Sequence, residues 1–289
     1  MALAGWIMAA AAILSAQTSP PASVAPLMVQ DSMNVFRRFT TDPAKMAMFY
    51  GEIVGLNSRP PLNVGGGPPI AQLQIGTSLL RLQPTPNARA LPNAGPNEVT
   101  GARTLTFVVS DRAAVTTRFT QHGLGAPEFR TVGNVARALV RDPDGQWVEL
   151  VERADQAAGG SDRLEIGLAV SDLVRSRAFY REFLGLDELP PVEDALIGVT
   201  KYPYRHGTTT VNLWASRQGS PVDTISGGIQ YIVNDAAAVD ALAKARNVKI
   251  DQPLRNFSPT LRTIWLMDPD GITNYFAQVL PRENSAGAR

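Results

Sequence analysis

The feature that most constrains this chain is an internal repeat. Asp42-Pro-Ala-Lys-Met-Ala-Met-Phe49-Tyr50-Gly-Glu52-Ile-Val-Gly55-Leu56 returns as Asp172-Leu-Val-Arg-Ser-Arg-Ala-Phe179-Tyr180-Arg-Glu182-Phe-Leu-Gly185-Leu186, with every matched pair 130 positions apart. A second marker, Arg141-Asp-Pro-Asp-Gly-Gln-Trp-Val-Glu149-Leu, returns as Met267-Asp-Pro-Asp-Gly-Ile-Thr-Asn-Tyr275-Phe, about 126 positions on. The chain therefore holds two homologous halves, joined by the polar, glycine-containing stretch 152–162.

Within each half the layout doubles again. The run Leu105-Thr-Phe-Val-Val-Ser-Asp111 precedes a helical stretch ending near His122, just as 165–172 precedes 173–184. In the second of these, Leu164, Ile166, Leu168 and Val170 alternate with Glu165, Gly167 and Ala169, a period of two that gives a strand two unlike faces. Asp172 is placed to cap the next helix. Leu173, Ala178, Phe179 and Phe183 follow near helical spacing, and Gly185 ends it where a left-handed residue costs least. Each Asp-Pro-Asp-Gly then reads as a turn between two strands.

Composition narrows the function classes. Lys and Arg total 27 against 26 Asp and Glu, so a net charge of +1 gives no long-range pull towards nucleic acid or an acidic membrane. The absence of cysteine removes disulfide scaffolds, thiolate metal sites and cysteine nucleophiles. Only His122 and His206 supply imidazole, the usual ligand for catalytic transition metals. Residues 1–16 are uncharged and largely apolar, too short a run to span a bilayer comfortably, and read as a signal peptide; a Pro/Ser-rich linker at 17–32 follows. A periplasmic or secreted location is expected, with no membrane contact beyond that segment.

A strand ending near Asp, a helix carrying Phe-Tyr and closing on Gly-Leu, and a final Asp-Pro-Asp-Gly hairpin, in this order and repeated, resemble the vicinal oxygen chelate superfamily, the fold of glyoxalases, bleomycin-resistance proteins and extradiol dioxygenases. The resemblance covers roughly residues 33–281. It implies an α+β chain of four βαβββ modules, at 33–95, 101–153, 163–216 and 224–281. They would form two tandem glyoxalase-like domains, 33–153 and 163–281, with cup-shaped mixed sheets, a linker at 154–162 and a tail at 282–289.

In metal-dependent relatives the ligands come from the first and last strands of the modules. Carried over one at a time, the first-strand position, seven residues before the Asp, falls on Val35, Thr104, Glu165 and Gly228, and the last-strand position on Arg81, Glu149, Asn212 and Tyr275. Only Glu149 fits the last-strand pattern, so no metal and no other cofactor is expected. Val35, Arg81, Thr104 and Glu149 would share a first cup, with Arg37 beside Val35 by alternation, able to pair internally or to hold an anionic substrate group. Glu165, Asn212, Gly228 and Tyr275 would share a second. There Glu165 is the candidate base, Tyr275 and Asn212 candidate donors to a developing oxyanion, His206 a candidate proton shuttle and Trp214 a candidate ligand wall.

Three functions follow. The first is an exported, metal-independent lyase or isomerase acting on a small oxygenated compound, aromatic ones included, in the second cup. The second is a non-catalytic small-molecule binding protein of the bleomycin-resistance kind. The third is a metal-dependent glyoxalase or dioxygenase-like enzyme with atypical ligands drawn from Glu149, Glu165 and His206. The expected partner is a small molecule; oligomeric state stays open.

Overall fold

The structure, a computed structural model, describes residues 21–63, 67–86, 94–132, 135–153 and 161–281. The expected signal peptide, most of the 154–162 linker and the 282–289 tail lie outside the described residues.

All four βαβββ modules form. The first runs through strand Asn34–Phe39, a helix from Pro43 to Ile53 whose last turn is π-wound, and strands Asn57–Leu62, Ile70–Ile75 and Ser78–Pro84. The second comprises strand Thr100–Val109, helix Arg112–Gln121, and strands Arg130–Val132, Val135–Arg141 and Trp147–Glu152. The third comprises strand Leu164–Val170, a helix from Leu173 to Phe183, two short strands within 187–194, then Val199–His206 and Thr209–Ala215. The fourth comprises strand Gly227–Ile232, helix Ala236–Ala245, and strands Ile250–Ser258, Leu261–Met267 and Thr273–Val279. Asp42, Asp111, Asp172 and Asp235 each cap their helix through the side chain, because an Asp oxygen satisfies N–H groups that the first turn leaves unpaired. Gly185, at φ 77°, closes the third helix in the left-handed conformation its sequence position predicts.

The modules pair in a way that alternation could not disclose. Strand Asn34–Phe39 runs antiparallel to Gly227–Ile232, so modules 1 and 4 build one mixed eight-stranded sheet. Strand Thr100–Val109 runs antiparallel to Leu164–Val170, so modules 2 and 3, with the short Val222–Asp223 strand, build a ten-stranded one. The expected grouping of cups, module 1 with 2 and module 3 with 4, is thereby corrected. A period of two fixes which face a side chain takes but says nothing about which strand lies alongside. Each cup draws one module from each half, and one continuous apolar core, from Val35 through Phe107 and Ile166 to Ile229, underlies both sheets.

The repeated motifs explain how the sheets lock together. Tyr50 Oη donates to Asp142 at 2.8 Å and Tyr180 Oη donates to Asp268 at 3.0 Å, so each Phe-Tyr helix of one sheet clasps the Asp-Pro-Asp-Gly turn of the other. All four residues are buried. From residue 21 the expected linker is itself packed: Val24 is fully buried, its N–H donates to the Phe183 carbonyl at 2.9 Å, and Val29 N–H donates to the Ile232 carbonyl at 2.9 Å.

Candidate functional site

The concave face of the ten-stranded sheet encloses a cavity of about 520 Å³ whose lining mixes charged residues with Val135, Val151, Leu189 and Val192. Glu149 sits on the last strand of module 2, where its Oε2 accepts from Thr106 at 3.0 Å and lies 3.4 Å from Lys201 Nζ. Its other oxygen is bound by Arg137, on the preceding strand. Arg137 and Lys201 also meet Asp194, at 2.6 and 2.5 Å. The four charges are thus bridged in both directions and nearly closed to water. Burial opposes the Lys201 charge, but Glu149 and Asp194 outweigh it and raise its pKa. Burial likewise opposes the Asp194 carboxylate, and Arg137 with Lys201 more than compensates, holding its pKa below the usual carboxylate value.

Glu165 faces the same cavity, with Oε2 accepting from Asn212 Nδ2 at 2.6 Å. Among the described residues no cation lies within ion-pair distance of it, although Lys201 feels its field. Glu149, Glu165 and Asn212, expected in two different cups, therefore share one. Arg163 and Arg205 stand exposed at its edge.

The concave face of the eight-stranded sheet is different in kind. Its cavity of about 400 Å³ is walled by Phe36, Leu62, Ile70, Trp265 and Tyr275, with Phe257 at the rim. Tyr275 packs against Phe36 with ring centres 5.0 Å apart and against Trp265 edge-on at 4.9 Å. Arg81 lies over the Phe36 ring at 5.3 Å and Arg38 over Tyr275 at 5.4 Å. Burial lowers the Arg81 pKa to about 10, and no carboxylate offsets that effect. Burial also lowers the Arg38 pKa, but Asp251 and Asp223 resist the shift.

Several expected positions are corrected. Tyr275 cannot act with Glu165, because the two stand on different sheets. Arg81 and Glu149 are separated in the same way. Arg37 does not reach a cup: its guanidinium is buried in ion pairs with Asp142 at 2.8 Å and Asp144 at 3.0 Å, beside the Tyr50 clasp. The Thr40-Thr41 bend adds one residue before Asp42, so the count of seven lands on Val35 while Phe36 and Arg38 take the concave face. Thr104 gives way to Thr106 as the cavity-lining threonine. Trp214 is fully buried over Gly167, on the same face of the sheet as Glu165, where an added Cβ would fall 2.4 Å from its ring, and it lines neither cavity. His206 lies 2.8 Å from the Gln30 carbonyl through Nε2 and pins the N-terminal segment; it does not line the cavity beside it.

Sequence reasoning missed Arg137, Asp194, Lys201, Gln230 and Thr263. Arg137 was the most accessible of these: the Asp-Pro-Asp-Gly hairpin pairs Leu139 with Glu149, and Arg137 shares the face of Leu139.

The resemblance implies a metal in some relatives, and the donors here do not fit one. Both Glu149 oxygens are already engaged by Thr106, Arg137 and Lys201, and the matching positions of the other cup carry Arg81 and aromatic rings. Among the described residues no three His, Asp or Glu side chains come together.

Curled mixed sheets assembled from four βαβββ modules, each with a cavity on its concave face, define the class. The family model for the Glyoxalase/Bleomycin resistance protein/Dioxygenase superfamily matches residues 32–150 and 163–276, and the chain belongs to that superfamily. A putative dioxygenase from Bacillus subtilis is similar in structure at TM-score 0.64, with 14% identity over 88% of this chain and 87% of that one. Glyoxalase I from Zea mays is similar at TM-score 0.64, with 20% identity over 86% of this chain and 92% of that one. At these identities the likeness is one of fold. No curated protein sequence matches the chain.

Proposed function

We propose that the protein is a metal-independent small-molecule binding protein of this superfamily whose ligand, an apolar, ring-bearing compound, occupies the cup of the eight-stranded sheet. The observation that carries the reading is the wall of that cup: Phe36, Ile70, Trp265 and Tyr275 around a cavity of about 400 Å³. Ligand sites are of this kind, a mostly apolar hollow with a few polar groups to orient the occupant. In the opposite cup Arg137, Lys201, Glu149 and Asp194 are matched to one another, and among the described residues no aromatic ring lines the cavity.

A thermal-shift screen of small aromatic compounds tests this reading. Saturable stabilisation is expected in the wild type and in Glu165→Gln, and its loss in Ile70→Trp, which fills the apolar cup. Stabilisation that survives Ile70→Trp and vanishes in Glu165→Gln would move the ligand to the other sheet.

One observation favours a second reading, a lyase or isomerase in the ten-stranded cup. Glu165 has no cation within ion-pair distance among the described residues, and it is oriented by Asn212 in a roomy cavity. A carboxylate so held is equipped to take a proton from a carbon next to a carbonyl. Under that reading Glu165→Gln abolishes turnover and leaves affinity in place. Export is part of the proposal and rests on the uncharged apolar run at 1–16; N-terminal sequencing of the mature protein is its test.

A further inference from the structure

We infer that the ligand of the eight-stranded cup is an anion, an aromatic or similarly apolar acid whose carboxylate pairs with Arg81. The inference rests on the reading of that cup as the ligand site and adds the chemical class. Of the other cations taken largely out of water, Arg103 also has no ion pair among the described residues but lines neither cavity, whereas three are matched. Arg37 meets Asp142 and Asp144, and Arg137 and Lys201 each meet Glu149 and Asp194. Arg81 is 9% exposed and has no carboxylate within ion-pair distance among the described residues. Its Nε donates to Gln72 Oε1 at 3.1 Å and its Nη1 donates to Gln230 Oε1, which leaves Nη2 without a protein acceptor among the described residues. Gln230 Oε1 also accepts from Asn34, and among the described residues its amide Nε2 donates to no protein acceptor.

A guanidinium taken out of water without a counter-charge is an expensive group to keep. The face of Phe36 offsets part of that cost, and burial depresses the Arg81 pKa, as an unmatched cation requires. The cavity charges are Arg38 and Arg81 against Asp251, and Arg255 lies over the rim rings of Phe257 and Trp265, so the cup is net positive. An acid fills this inventory: its oxygens take the free Nη2 of Arg81 and the Gln230 amide, and its ring lies among Phe36, Trp265 and Tyr275. A second unmet group stands on the far wall. Thr263, 7% exposed and separated from the Arg81 strand by three others, lines the same cavity and its Oγ1 has no hydrogen-bond partner among the described residues, so a ring substituent able to hydrogen-bond there adds affinity.

The test compares 2-naphthoate with 2-naphthamide, equal in shape and different in charge, by calorimetry and by quenching of Trp265 fluorescence, with Trp265→Phe as the blank. The acid is expected to bind about 10- to 100-fold more tightly than the amide. Arg81→Met should bring the acid down to the affinity of the amide and leave the amide unchanged, while Arg81→Lys should retain part of the preference. Equal binding of acid and amide, or a preference that survives in Arg81→Met, overturns the anion inference and leaves the cup as a ligand site. Failure of both compounds to quench Trp265 removes the ligand site itself, and the inference with it.

Discussion

The two cups are built from the same module and do opposite things with charge. In the ten-stranded sheet two cations and two carboxylates lie buried and crossed, Arg137 and Lys201 against Glu149 and Asp194. In the eight-stranded sheet Arg38 feels Asp251 and Asp223, but the Arg81 guanidinium lies over the Phe36 ring with no carboxylate within ion-pair distance among the described residues. Burial is similar; partnership is not. A matched buried charge belongs to the fold, because removing either partner strands the other. An unmatched one is paid for elsewhere and is the group to suspect of a ligand.

Substitutions sharpen the contrast, beginning with the largest effect. Arg37→Met strands two buried carboxylates at the clasp between sheets and should cost about 4 kcal/mol in urea denaturation. Lys201→Met leaves Glu149 and Asp194 with Arg137 alone and should cost about 3 kcal/mol by the same measurement. A third prediction concerns pH and the second clasp. Asp268, like Asp142, accepts from a buried Tyr, but among the described residues no arginine pairs with it, and burial pushes its pKa up to about 7. The folded chain then holds a proton that the unfolded chain releases near the ordinary Asp value. Stability should therefore fall as pH rises from about 4 to 7, and Asp268→Asn should flatten that slope. The smallest effect is expected for Tyr50→Phe, about 1 kcal/mol, since Asp142 keeps Arg37 when it loses the phenol.

Much of the fold was legible in the sequence. The 130-residue repeat marked the modules, and Asp172 as a helix cap and Asp-Pro-Asp-Gly as a closing turn were readable because each is decided within a few residues of itself. The site was less legible, for two physical reasons. Face follows from local alternation, and one added residue in the Thr40-Thr41 bend was enough to exchange Val35 and Arg37 for Phe36 and Arg38 on the concave side. Strand neighbours follow from assembly, so Tyr275 joined Arg81 rather than Glu165, and Glu165 joined Glu149. Trp214 shows a further limit: its ring faces the concave side, as a ligand wall would, but the missing side chain of Gly167 leaves a hollow that buries it out of the cavity.

Arg81 retained for a ligand rather than for the fold should be dispensable to folding, which the unfolding free energy of Arg81→Met without ligand measures. A change within about 1 kcal/mol of wild type, or a gain, is expected, because a desolvated cation is removed and what is lost is its hydrogen bonds to Gln72 and Gln230 and its contact with the Phe36 face. A loss as large as that of Lys201→Met would contradict that role and make Arg81 a structural residue like its counterparts in the other cup.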